Sequence, residues 1–285
     1  MCLLQIKAVV CWVKNAYLSR LKTLRKLPEN KMTKDLSYIQ QGHGNALVLL
    51  HGYLENKEMW EDLLSKLPKS TSVICPDLPG HGDSGVLENQ TIDNMGKAIF
   101  HLLDDLGIKQ FSLAGHSMGG YVALAMAEQQ PERVTRIALL HSHTYADLPE
   151  KAANRLRETH LVGRGKKELI IRTAIPNLFA PAFAKKHPDV VNKTIEIALT
   201  TPPEGMVACL KAMAERPDRT AFFKSLPIDR WLILGKNDNL ISWQTLSDEF
   251  ASIPGIKISV LENAGHMSMK EEPEAFLQMI QPLFL

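Results

Sequence analysis

With 285 residues, 45% of them hydrophobic and 22% charged, the chain has the composition of an ordinary globular protein, and the length suits one large α/β domain with an insertion or two small domains. A formal net charge of +2 gives no reason to expect nucleic acid or an acidic substrate, and no apolar stretch approaches the roughly 20 residues that a bilayer span requires. Cys2, Cys11, Cys75 and Cys209 lack the paired spacing of a zinc site or a disulfide framework, so a reducing compartment, the cytoplasm, is expected.

Residues 1–31 carry seven Lys or Arg against one acid, Glu29, which leaves the rest of the chain net acidic. Leu3, Ile6, Val10, Val13, Tyr17, Leu21, Leu24 and Leu27 recur at helical spacing between these cations, the pattern of a basic amphipathic helix. The positive charge follows the apolar run instead of preceding it, the wrong order for a secretory signal. Three readings stay open: a helix making peripheral membrane contact, an organelle transit segment, or sequence upstream of a true start at Met32.

From residue 32 the chain alternates apolar runs with helical spacing. Strands are expected at Leu36 to Gln41, Ala46 to Leu50, Ser72 to Cys75, Phe111 to Ala114, Arg136 to His141, Trp231 to Gly235 and Lys257 to Leu261. Helices are expected at Lys57 to Leu67, from Thr91 to a Gly107 cap, over Tyr121 to Ala127, from Ser242 to Phe250, and from about Pro273 to Leu283. Strands separated by helices imply right-handed crossovers and a mostly parallel sheet flanked by helices. The alternation stops between about 143 and 226, where helical runs are punctuated by glycine and proline. The expected organisation is therefore a leader at 1–31, an α/β core from 32–142 and 227–285, and an inserted helical cap at 143–226.

Gly115-His116-Ser117-Met118-Gly119 falls where a strand meets a helix. A serine held on so sharp a turn needs small residues two before and two after it, and its hydroxyl then projects from the top of the sheet beside the positive end of the following helix. A serine hydroxyl is a weak nucleophile unless a base takes its proton, and an imidazole serves near neutral pH when a carboxylate fixes its tautomer. His266 and Asp238 each follow an expected strand, so both reach the sheet edge where Ser117 projects. Asp229 and Asp248 are poorer acids, one preceding its strand and the other lying within the next helix. The backbone N–H groups of Tyr53, after the turn at Gly52, and of Met118 are the expected oxyanion donors. His51, Asp77, His81 and Asp83 read as loop braces. Leu178, Phe179 and Phe183 of the cap, residues that more often form a cap's own small core, are with His143, Leu240 and Met267 beside the strand ends the candidate substrate contacts, and His141, which also follows a strand, is placed at the cleft without a catalytic role. No metal or organic cofactor is required.

The motifs His51-Gly52-Tyr53, Asp77-Leu78-Pro79-Gly80-His81-Gly82-Asp83-Ser84, Gly115 to Gly120, Gly235-Lys236-Asn237-Asp238 and Gly265-His266, in the chain order Ser, Asp, His, resemble the α/β-hydrolase superfamily from about residue 36 onward. The chain is most similar to small bacterial members with a helical cap: carboxylesterases, enol-lactonases and cofactor-free haloperoxidase-like enzymes. Haloalkane dehalogenases and epoxide hydrolases place an aspartate where this chain has Ser117. The resemblance implies acyl transfer from a small-molecule ester through an acyl-enzyme on Ser117. The same triad acting on a lactone, on a carbon-carbon bond or in peroxyacid formation stays open, as does a ligand-binding protein that keeps the fold without turnover.

Overall fold

The unbroken apolar runs form the inner strands of a seven-stranded sheet, because a strand covered on both faces has no side left for polar residues. The computed structural model describes residues 36–284, so the expectations for residues 1–31 lie outside the described residues. The strands are β1 (Tyr38–Gln41), β2 (Ala46–Leu50), β3 (Ser72–Pro76), β4 (Phe111–His116), β5 (Val134–Leu140), β6 (Asp229–Gly235) and β7 (Ile256–Leu261). Their order across the sheet is β1-β3-β2-β4-β5-β6-β7. β1 runs antiparallel to β3, and every other pair is parallel.

Helices α1 (Glu61–Leu64), α2 (Ile92–Asp105) and α3 (Met118–Gln129) precede β5. Between β5 and β6 come α4 (Pro149–Gly163), α5 (Lys167–Ala174), α6 (Pro181–Lys186), α7 (Pro188–Thr200), α8 (Pro203–Ala214) and α9 (Thr220–Ser225). Helix α10 (Trp243–Phe250) joins β6 to β7, and α11 (Ser268–Glu271) and α12 (Pro273–Ile280) close the chain. Four helices of the insertion have proline in their first turn, where the missing N–H costs nothing, so these prolines start helices and do not break them.

Alternation along β2 builds two cores. Val48 and Leu50 pack with Leu113, Ile137 and Leu234 under α2, α3 and α10, while Leu47 and Leu49 pack with Val73, Ala138 and Ile233 under α1 and α12. Helix α3 is buried on all sides, which explains why Tyr121 to Ala127 contains no charge. Two expected helices come out shorter. Lys57 to Leu67 becomes a 3-10 turn at Lys57–Trp60 followed by α1, with Asn56 Oδ1 capping the N–H of Glu58. The last helix stops at Ile280 and continues as a 3-10 turn at Gln281–Phe284, since Pro282 has no N–H to extend the α ladder.

The register positions the site. Leu50 pairs with Gly115, His116 with Leu140, Leu140 with Ile233, and Gly235 with Leu261, so the carboxyl ends of five strands share one edge. The chain goes from β2 to β3 on one side and then crosses to β4 on the other. Such a reversal opens a crevice between β2 and β4, the place where open α/β sheets take ligands.

Candidate active site

Ser117 lies on this crevice between β4 and α3, with φ 49° and ψ −114°. A non-glycine residue in that region costs about 1–3 kcal/mol and persists only where its surroundings impose it. Here the Ser117 N–H donates to Leu140 O (2.9 Å), and its carbonyl accepts from Ser142 Oγ (2.7 Å) and Gly120 N (3.0 Å). The flanking glycines are required by close approach: a Cβ on Gly115 would meet Gly119 O at 2.2 Å, and one on Gly119 would meet Leu50 O at 2.4 Å. Neither the Tyr53 nor the Met118 N–H donates to a protein acceptor among the described residues.

Asp238, in the turn after β6, has a side chain only 1% exposed. Its Oδ1 accepts the N–H groups of Leu240 (2.8 Å) and Ile241 (3.0 Å), and its Oδ2 accepts from His266 Nδ1 (2.7 Å) and His141 Nδ1 (3.2 Å). Burial alone would raise its pKa, but the two imidazoles outweigh burial and hold the carboxyl well below the usual range. Because a carboxylate only accepts, His266 carries its proton on Nδ1 and presents the Nε2 lone pair. His266 and Ser117 line the same cavity, and no hydrogen bond joins Ser117 Oγ to His266 Nε2.

A buried carboxylate, Glu55, and a half-buried one, Glu271, hold the frame around these side chains. Glu55 Oε2 accepts from the Gly52 N–H and from His116 Nδ1 (2.9 Å), and His116 Nε2 donates to the carbonyl of His266 (2.8 Å). Both partners of the His116 ring are pure acceptors, so the ring is an imidazolium. Burial opposes that charge, but Glu55 outweighs it and the His116 pKa is raised, while that of Glu55 is lowered. Glu271 accepts the N–H groups of Ala180 (2.6 Å), Gly265 (2.8 Å) and Met267 (3.0 Å), bracketing His266 and fastening its loop to the insertion. Burial pushes the Glu271 carboxyl up to about 7 against those bonds.

The cavity, of about 340 Å³, has apolar walls from Ile175, Leu178, Leu210, Met213, Leu240 and Ile241. A charged end is formed by Lys151, Arg155 and Glu158 of α4. Of the candidate substrate contacts, Leu178 and Leu240 line it. Four do not. Phe179 is 1% exposed and stacks on Phe183 (centroids 5.7 Å apart), so this pair belongs to the insertion's own core. Met267 is buried beneath the His266 loop, and His143 faces an adjoining cavity of about 500 Å³ that shares Lys151, Leu240 and Ile241 with the first. His51 and His81 brace loops: His51 Nε2 accepts from Leu78 N (2.8 Å), and His81 Nε2 from Leu54 N (3.2 Å). Asp229 opens β6 at the opposite end of the sheet and pairs with Lys257.

Residues 45–273 match the alpha/beta hydrolase fold family. The chain belongs to this family. The α/β hydrolase is 30% identical over 252 residues to 3-oxoadipate enol-lactonase 2 of Acinetobacter baylyi, covering 86% of this chain and 91% of the relative. A second enol-lactonase of that organism is 28% identical over 88% of this chain and 93% of its own length. Among solved structures, a thermophilic esterase from Thermogutta terrifontis superposes with a TM-score of 0.83 at 32% identity, over 87% of this chain and 92% of that one.

Sequence reasoning missed three residues of this hydrolase's candidate site, Glu55, His116 and Glu271, and placed a fourth, His141, at the cleft without a role. His116 occupies a variable place in the Gly-x-Ser-x-Gly pattern and His141 follows a strand, which are signals of position without role. Glu55 and Glu271 gave no signal, because an acid in a loop is ordinarily solvated. Cys75 and Cys209 are buried free thiols whose pKa burial raises, in keeping with core packing. Among the described residues no helix is long and apolar enough to cross a membrane.

Proposed function

We propose that this α/β hydrolase cleaves carboxylic esters, open-chain or lactone, by acyl transfer through Ser117. The observation that carries the reading is the shared cavity of Ser117 and His266, with His266 Nδ1 2.7 Å from a buried Asp238 carboxylate. Ser117 Oγ attacks the carbonyl carbon as His266 Nε2 takes its proton, a contact that tightens when substrate fills such a site. The N–H groups of Tyr53 and Met118 receive the developing oxyanion, and each such donor is worth about 10²- to 10³-fold in rate. His266 then gives the proton to the leaving alkoxide. Water, deprotonated by the same imidazole, releases the acid and restores Ser117, while Asp238 keeps the ring oriented throughout.

The lactone reading draws on the two enol-lactonases at 28% and 30% identity, and the open-chain reading on the esterase at 32%. Helices α4 to α9 act as the cap: with Leu178, Leu210 and Met213 they supply most of the apolar wall over Ser117. A fluorophosphonate probe tests the reading. It should label the native chain and not Ser117→Ala, and the native chain should hydrolyse p-nitrophenyl esters or a five-membered lactone. A folded native protein that takes no label overturns the proposal in favour of a binding protein.

A further inference from the structure

One imidazole at this site has no part in the steps above. His141, the residue after β5, is fully buried and has φ 46°. Its Nδ1 lies 3.2 Å from Asp238 Oδ2, the oxygen that also receives His266, and its Nε2 lies 2.6 Å from Ser268 Oγ. The carboxylate fixes the proton on Nδ1, and burial keeps the ring neutral by pushing its pKa down to about 4. Nε2 therefore accepts and the Ser268 hydroxyl donates. The arm Ser268, His141, Asp238 repeats the atom order of Ser117, His266, Asp238, but Ser268 is 0% exposed, so no substrate reaches its hydroxyl.

We propose that His141, backed by Ser268, is a positioning residue that fixes the plane of the Asp238 carboxylate and takes a share of its charge, thereby setting how basic His266 is. The inference rests on the reading of Ser117, His266 and Asp238 as the triad. The other group facing the two rings is His116 from β4, whose ring lies 5.9 Å from that of His141 and 4.9 Å from that of His266, with Glu55 behind it, while Glu271 from α11 holds the backbone on either side of His266 and interacts with the Asp238 charge. The His116 and Glu55 charges offset one another. Glu271 titrates in the working range, so the test must read the His266 ring itself.

The direction follows from charge. Without the His141 N–H, the whole Asp238 charge acts on His266 and favours its imidazolium, so the base is lost at a higher pH. In His141→Leu the acid limb of kcat/KM on p-nitrophenyl acetate, and the titration of the His266 ring followed by ¹⁵N NMR, should both move up by about half a pH unit. Loosened positioning should lower kcat by about 10-fold with KM within about 2-fold. His141→Asn, whose amide places an N–H near the Nδ1 position, should restore the limb. Ser268→Ala should shift it the same way by less. A folded His141→Leu whose limb and ring titration match the native protein overturns the proposal. Should that variant not fold, a native-like titration in Ser268→Ala does the same. Failure of the triad reading would appear separately, as absent fluorophosphonate labelling of the native chain, and the ring titration would still report on His141.

Discussion

Asp238 accepts four N–H bonds, two on each oxygen, so no orientation of an amide can replace it without turning a donor against a donor. Asp238→Asn should lower kcat on the order of 10³- to 10⁴-fold with a much smaller change in KM, as steady-state kinetics on an active ester would show. The Glu55–His116 pair makes a prediction about pH. His116 has a folded pKa above its ordinary 6.5, so its contribution to stability is complete below pH 6.5 and is lost as pH rises through the folded value. Glu55 has a folded pKa below its ordinary 4.5, so its contribution is present above that pH and is lost as pH falls through the folded value. The pair therefore stabilises most between about pH 4.5 and 6.5. Glu55→Gln should be less stable than the native protein by roughly 3 kcal/mol at pH 6, and the deficit should narrow by pH 9. Thermal melts at the two pH values would decide it, and an equal deficit at both would mean that the pair is uncharged.

At the level of elements, the decisive joint lies between the His266 loop and the segment connecting α5 to α6. The His266 N–H donates to Leu178 O (2.7 Å), Glu271 holds Gly265, Met267 and Ala180 together, and a Cβ on Gly265 would stand 2.5 Å from Ala180 N. The obstacle is backbone on both sides, so it cannot be relieved by a rotamer change. Gly265→Ala should push the loop off the insertion and lower kcat by about 10²-fold, the scale of a 1 Å misplacement. Glu271→Ala should leave three N–H groups without their acceptor, at about 1–3 kcal/mol for each that water cannot reach. Its melting temperature should fall, and an unchanged melt would show that solvent replaces the carboxylate without cost.

Across the whole molecule, the sheet was legible because its inner strands are continuous apolar runs, and Ser117 because strain and close approach restrict its neighbours to glycine. The partnerships around Ser117, Asp238 and His266 were not. His141 stands 97 residues before Asp238, and Glu55 61 before His116; the register of β2 on β4 brings the second pair together, and that of β5 on β6 the first. The sequence leaves Phe179 and Phe183 between substrate contact and the insertion's own core, because spacing along short helices does not say which face meets the cavity, and the structure places them in that core. The described sheet begins at Tyr38, the family match begins at residue 45, and every side chain of the proposed reaction falls between Tyr53 and His266. A chain begun at Met32 should therefore keep kcat and KM on p-nitrophenyl acetate within about 2-fold of the full chain, since it retains every residue given a part in the proposed reaction. Far-ultraviolet circular dichroism would establish that the shorter chain folds, and a large loss of turnover in that folded protein would place part of the basic segment in the site.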